Sequence, residues 1–175
     1  MNLGVVTLNL PRIALEAAGN KEKFWSLLEE RLQIAKDALV FRIDRCKEAT
    51  PANAPILYQY GAFGKRLNRT DSVNELFKNK RATISLGYIG LYEVASAFYG
   101  GEWENNPEAK EFTIDIMKDL KEHADTWGNE YGYHFSVYST PSESLTDRFC
   151  RLDTERFGIV ENITDKDYYT NSFHY

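Results

Sequence analysis

Apolar runs long enough to span a membrane are missing from this chain: none approaches the roughly eighteen residues a spanning helix needs. The first residues, Met1-Asn2-Leu3-Gly4-Val5-Val6, hold no basic segment ahead of an apolar one and do not read as a secretion signal. Cysteine is scarce. Cys46 and Cys150 stand far apart, form no CxxC pair, and exclude a zinc site built from cysteines alone. They read as free thiols of a reducing, cytoplasmic compartment. His123, His134 and His174 are scattered without metal-ligand spacing, so no metal ligand is assigned. Basic tracts are absent too. A net charge of −5 and a pI of about 5.3 argue against a nucleic-acid surface.

What is present is a core. Hydrophobic residues are 43% of the 175, with 11 Tyr and 10 Phe, enough for one folded unit rather than a disordered chain. Val5 to Leu10 alternates weakly and reads as a short buried strand, ended by Pro11, which opens a helix through Ala18. Trp25, Leu28, Leu32, Ala35, Leu39 and Ile43 recur at spacings of three and four. A second row, Phe24, Leu27, Ile34, Ala38 and Phe41, lies beside it. Together they predict a helix over Lys21 to Lys47 with much of its surface covered. Ala49 to Pro55 breaks regular structure, and Ser72 to Lys78 reads as a short helix capped by Ser72.

Arg81 to Tyr88 reads as a second strand. Leu91, Val94, Ala95 and Phe98 then make a helix that Gly100-Gly101 stops. Asn106 caps another, with Pro107 first and Ala109, Phe112, Ile116, Leu120, His123 and Trp127 on its inner face. Tyr133 to Tyr138 alternates as a third strand. Strands separated by helices predict an α/β fold with parallel pairing and right-handed crossovers. The first strand begins near residue 4 and the chain stops in the aromatic stretch Tyr168 to Tyr175, so both ends read as cut through structure.

The stretch Ser139-Thr140-Pro141-Ser142-Glu143-Ser144 follows the third strand. Thr140 reads as an N-cap, Pro141 as the first helical residue and Glu143 as the reciprocal member of a capping box. A hydroxyl-rich helix start favours anions, which makes this a candidate phosphate cradle; equally, Glu143 can satisfy a backbone donor and leave only a cap. Gly87-Tyr88-Ile89-Gly90 reads either as a close backbone approach to a ligand or as tight strand–helix packing. Pro51 to Pro55 reads as a connector, with a substrate-facing loop as the alternative. Cys150 reads as a buried structural thiol, and Cys46 likewise.

Several long stretches resemble the anaerobic (class III) ribonucleoside-triphosphate reductases, a glycyl radical enzyme family. They are Asn2 to Arg12, Ala49 to Pro55, Ser85 to Glu93, Tyr138 to Phe149 and Tyr168 to Tyr175, and the likeness runs through the helices between them. The resemblance implies that residues 1–175 are one segment, incomplete at both ends, of a ten-stranded α/β barrel. The whole enzyme would reduce ribonucleoside triphosphates by glycyl and thiyl radical chemistry, with formate as reductant, zinc, and ATP or deoxynucleotide effectors. None of these is expected to bind this segment alone, and the segment alone is expected to be inactive. The radical-bearing Cys-Arg-Ser stretch, the zinc CxxC pairs and the Cys-Gly-Tyr radical motif do not occur here. The implied partners are the rest of the reductase chain, a second copy of it, and a radical-SAM activating enzyme. The rival reading is a non-catalytic remnant or interaction module that docks on an intact reductase.

The resemblance also assigns residues. Asn2 matches the family asparagine that hydrogen-bonds the ribose hydroxyls, a task suited to an amide that donates and accepts at once. Ser139, Thr140, Ser142, Glu143 and Ser144 match the turn that holds the substrate phosphates. Asn9 is the weaker alternative to Asn2, read otherwise as a satisfied core amide. An open piece of a barrel is further expected to self-associate through its sheet edges.

Overall fold

The computed structural model describes residues 2–79, 81–141 and 143–172. Three strands, β1 (Asn2–Asn9), β2 (Thr83–Ile89) and β3 (His134–Ser139), pair in the order β1-β2-β3, and both pairings are parallel. Parallel neighbours need long crossovers, and helices supply them. α1 (Leu10–Ala17), α2 (Lys21–Lys47) and the single turn α3 (Pro55–Tyr58) lie between β1 and β2. α4 (Leu91–Tyr99) and α5 (Pro107–Tyr131) lie between β2 and β3, and α6 (Glu143–Phe157) follows. Apart from α3, the order of strands and helices is the one the sequence pattern predicts.

Local chemistry sets most helix ends. The Asn20 side chain accepts from the Lys23 N–H at 3.0 Å and starts α2 at Lys21. Asn106 does the same for α5 through the Glu108 N–H at 3.0 Å, with Pro107 first. α4 starts from Gly90, whose φ of 81° favours glycine, and stops at Gly100. At Gly90 a Cβ would also collide with Pro11, so this glycine serves packing of the β2–α4 turn against α1.

The core lies between one sheet face and the two long helices. Leu28, Leu32, Leu39 and Ile43 of α2 and Ile116 and Leu120 of α5 are buried against Leu8, Ile84, Leu86 and Phe135 of the sheet. Each such side chain contributes about 1.5–3 kcal/mol of transfer free energy. Phe24, Trp25, Phe98 and Phe112 join α2, α4 and α5, with ring centroids 5.2–5.8 Å apart. No helix among the described residues is long and apolar enough to cross a membrane.

Four expectations need correction. α1 begins at Leu10, because the Asn9 side chain caps it by accepting from the Arg12 N–H at 3.2 Å. The Ser72 segment is a single 3-10 turn, Val73–Leu76, although Ser72 does cap it. The second apolar row of α2 is not covered along its length: Ile34 is 56% and Phe41 67% exposed. The last helix begins at Glu143 instead of Pro141. Thr140 continues the sheet ladder, its N–H donating to the Tyr88 carbonyl at 3.1 Å, and its hydroxyl lies 2.9 Å from that of Thr7.

Candidate functional site

Alternation along the strands sorts the sheet into two faces. The apolar face lies under α2 and α5. The other is lined by hydroxyls and an amide. Asn2 Nδ2 donates to Ser85 Oγ at 3.1 Å, and Ser85 Oγ lies 2.9 Å from Ser136 Oγ, so one line of hydrogen bonds crosses all three strands. Further along, Thr7 Oγ1 and Thr140 Oγ1 are 2.9 Å apart. Gly87, paired with Thr7 and with Tyr138, lies beneath that bond. A Cβ there would collide with Thr140 Oγ1 and lie 2.6 Å from Thr7 Oγ1 and 2.9 Å from Val5 Cγ1. Gly87 thus makes room for a hydroxyl pair bridging the first and third strands.

Asn2 reaches this face because of a bulge. Asn2 pairs with Thr83 and Val5 with Ser85, so β1 uses one more residue than β2 over the same span. Three residues separate Asn2 from Val5, and plain alternation would turn their side chains to opposite faces. The extra residue restores Asn2 to the hydroxyl face. Gly4, at φ 151°, lies inside the irregular stretch, and its N–H is held by Asn2 Oδ1 at 2.8 Å. Asn2 remains exposed, with a second amide N–H and oxygen lone-pair capacity to spare. Asn9 differs: its oxygen caps α1, and its Nδ2 donates to Asp153 Oδ2 at 2.9 Å. Its amide is committed to structure.

The segment from Ser139 lies at the other end of the strands, where Ser139, in register with Tyr88, turns to the helix-covered face and Thr140 to the hydroxyl face. From the level of Asn2, which is that of His134, to Ser139 is five residues, about 16 Å at about 3.3 Å per residue. Asn2 and the Ser139 segment are therefore not brought together. A molecule reaching from Asn2 to Thr140 would lie along the strands. Ser139 lines a cavity of about 270 Å³ with Tyr88, Tyr92, Trp103 and Asn171. Thr140 is buried, and its carbonyl accepts from Asn171 Nδ2 at 3.2 Å. Ser144 is exposed in the first turn of α6, where backbone N–H groups have no intrahelical partner. Ser142 lies outside the described residues.

Two buried carboxylates, neither singled out in the sequence, fix this end. Asp153 of α6 is fully buried and takes Arg12 Nε at 2.5 Å, Asn9 and the Tyr169 hydroxyl at 2.8 Å. Burial and the adjacent Asp153 carboxylate push the Tyr169 hydroxyl far above its usual pKa. Glu93 of α4, also fully buried, accepts from the Thr170 hydroxyl at 2.7 Å and from its N–H at 3.1 Å, and pairs with Lys166. The stretch 166–171 is thereby tied to the strand ends that carry Thr140. Acids inside the apolar runs Leu91 to Phe98 and Phe149 to Leu152-Asp153 were the available signal, since buried acids need partners.

Cys46 packs against the main core, and Cys150 clusters with Ile89, Ile163 and Tyr169. Cys150 is buried, donates to the Lys166 carbonyl at 3.1 Å, and is pushed up to about 11 by burial. Cys46 is only half-buried, short of the full burial expected of it. The Pro51 to Pro55 loop is a 3-10 turn closed by a Thr50–Asn53 capping box. On the outer layer, His123 meets Glu29 and Asp119 across α2 and α5, a cluster that linear spacing hid.

The family described as anaerobic ribonucleoside-triphosphate reductase matches residues 1–175. The anaerobic ribonucleoside-triphosphate reductase of Escherichia coli (strain K12) is 56% identical over 99% of this chain, and that of Enterobacteria phage T4 is 46% identical over 99%. The anaerobic ribonucleotide reductase from Thermotoga maritima with dATP bound in the specificity site superposes on 95% of this chain with a TM-score of 0.72 at 27% identity. The chain spans 24% and 28% of the two sequence relatives and 26% of the Thermotoga chain. A match along every described element, carried by sequence and by fold alike, leads to one conclusion: this chain belongs to the anaerobic ribonucleoside-triphosphate reductase family.

Proposed function

We propose that this chain forms part of the catalytic barrel of a reductase that converts ribonucleoside triphosphates to deoxyribonucleoside triphosphates, and that its hydroxyl-lined sheet face is the wall that meets substrate. The observation that carries this reading is the asymmetry of the sheet. One face is sealed by helices, and the other holds Asn2, Ser85, Ser136, Thr7 and Thr140 in a hydrogen-bonded array. The β1 edge, flanked by exposed Ile34 and Phe41, suits the next stave of a ten-stranded barrel.

Asn2 is the residue we assign to the ribose. With one N–H on Ser85 and its oxygen on the Gly4 N–H, it is held rigid and keeps one donor and lone-pair capacity for two neighbouring hydroxyls. The phosphates are assigned to the start of α6 through Ser139, Thr140, Ser142, Glu143 and Ser144, where N–H groups and the helix dipole favour an anion. The chain's thiols are not assigned the radical role: Cys150 is buried among Ile89, Ile163 and Tyr169 with its S–H on the Lys166 carbonyl, and Cys46 lies on α2 behind the sheet. No radical step is assigned to this stretch. Glycyl radical chemistry, formate, the cysteine-bound zinc, nucleotide effectors, dimer formation and activation by a radical-SAM partner are assigned to the parent protein, working in the cytoplasm.

The test of the phosphate assignment is Ser144→Asp in the parent-length reductase. A second negative charge at the helix start raises KM for the triphosphate about tenfold and leaves kcat nearly unchanged. An unchanged KM would remove the phosphates from this helix.

A further inference from the structure

We propose a divalent transition-metal site on the outer helical layer, formed by Glu29 of α2 with Asp119 and His123 of α5. One ligand atom from each of the three lies within 4.8 Å of the others. This site is distinct from the hydroxyl face and from any site built on cysteines.

The imidazole carries the first argument. His123 Nδ1 lies 2.9 Å from the backbone carbonyl of Asp119, and a carbonyl only accepts, so Nδ1 bears the proton. In the neutral ring Nε2 then presents a lone pair, and it faces Glu29 Oε2 at 3.2 Å. A contact of that length is closed either by a proton on Nε2, donated to Glu29, or by a metal ion held between the two atoms, and the metal ion also engages Asp119. Ligands each about 2.0–2.1 Å from a tetrahedral zinc ion are about 3.3 Å apart, which matches the gap. A histidine that donates its other N–H to a backbone carbonyl is also the usual arrangement of a metal-bound imidazole.

Asp119 carries the second argument. Its Oδ2 is shut off from solvent and has no hydrogen-bond partner among the described residues. A buried carboxylate oxygen without a partner is costly, and a cation removes that cost. Asp119 and His123 are four residues apart on one helix, so both project from the same side towards Glu29. Asp119 and His123 are half-buried and Glu29 is exposed, which leaves an entry path and room for water as a fourth ligand.

The site would tie together the two helices that lie behind β1 and β3. It sits between the Trp25–Phe112 ring contact, 5.8 Å, and the Lys36–Glu130 ion pair, 2.8 Å, which also join these helices. A bound ion would stiffen the wall behind the hydroxyl face.

The experiment is thermal unfolding of the chain, carrying Cys46→Ser to remove the accessible thiol, with and without Zn²⁺ at about 100-fold over the dissociation constant found by calorimetric titration. The midpoint is expected to rise by about 5–11 °C. Glu29→Gln, at an exposed side chain that folding does not need, is expected to abolish the rise, and His123→Gln likewise. Co²⁺ is expected to give weak visible bands without thiolate charge transfer. No rise with zinc, or an equal rise in Glu29→Gln, overturns the proposal and leaves a proton-held ion cluster. Thiolate charge transfer with Co²⁺ overturns it too.

Discussion

Replacing Gly87 by alanine tests whether the hydroxyl face is built as described. In an ordinary strand the change stabilises by about 0.5–1 kcal/mol, because glycine loses more conformational freedom on folding. Here the new Cβ meets Thr7 Oγ1 at 2.6 Å and Val5 Cγ1 at 2.9 Å, and collides with Thr140 Oγ1. The threonines must turn apart, which forfeits a hydrogen bond worth about 1 kcal/mol. Overpacking adds about 1–3 kcal/mol. The net is a loss of about 1–3 kcal/mol, opposite in sign to the unobstructed case. Urea unfolding followed by tryptophan fluorescence reads this as a lower midpoint with an unchanged slope. The same change in a Thr7→Ala, Thr140→Ala background meets only Val5, so its cost falls by about 1 kcal/mol or more. A stabilising Gly87→Ala, or an equal cost in both backgrounds, would refute the geometry.

Asp153→Ala strands Arg12, the Asn9 amide and the Tyr169 hydroxyl around a fully buried position, and unfolding measurements are expected to show a loss of about 3–5 kcal/mol, with Asp153→Asn milder. Gly4→Ala places a side chain at φ 151° and against Arg42; a loss of about 1 kcal/mol and disappearance of the ordered Asn2 side-chain amide signal by NMR are expected. Thiol labelling at pH 8 should modify Cys46 first, because burial pushes Cys150 up to about 11 and seals it; equal rates would contradict that burial. The open strand edges predict self-association, and a sharp monomer peak by light scattering at high concentration would count against it.

Features set by near neighbours were legible in the sequence. The bounds of α2 follow from Asn20 and a spacing of three and four, and α5 follows from Asn106-Pro107. Features set by distant neighbours were not. Ser139 to Ser144 reads locally as a capping box, but the Thr140 hydroxyl also meets Thr7, 133 residues away, which no local pattern announces. Ile34 and Phe41 carry a pattern that demands cover, yet both stay exposed among the described residues. Gly87 stands where a ligand or a helix was expected to approach closely; the structure puts two hydroxyls there, and only strand register reveals which. The bulge that turns Asn2 inward is invisible to alternation alone, though Gly4 is its one local sign. Glu29 and His123 are separated by 94 residues, so their meeting depends on how α2 and α5 pack.

The central claim is that the hydroxyl face meets the ribose through Asn2. Anaerobic turnover of a ribonucleoside triphosphate by the parent-length reductase carrying Asn2→Ala tests it most directly. Loss of one or two hydrogen bonds, about 1.4–2.8 kcal/mol, predicts a fall in kcat of about tenfold to a hundredfold with protein stability nearly unchanged. Full kcat in the folded variant would contradict the account and leave Asn2 as a strand-end residue bonded only to Ser85 and Gly4.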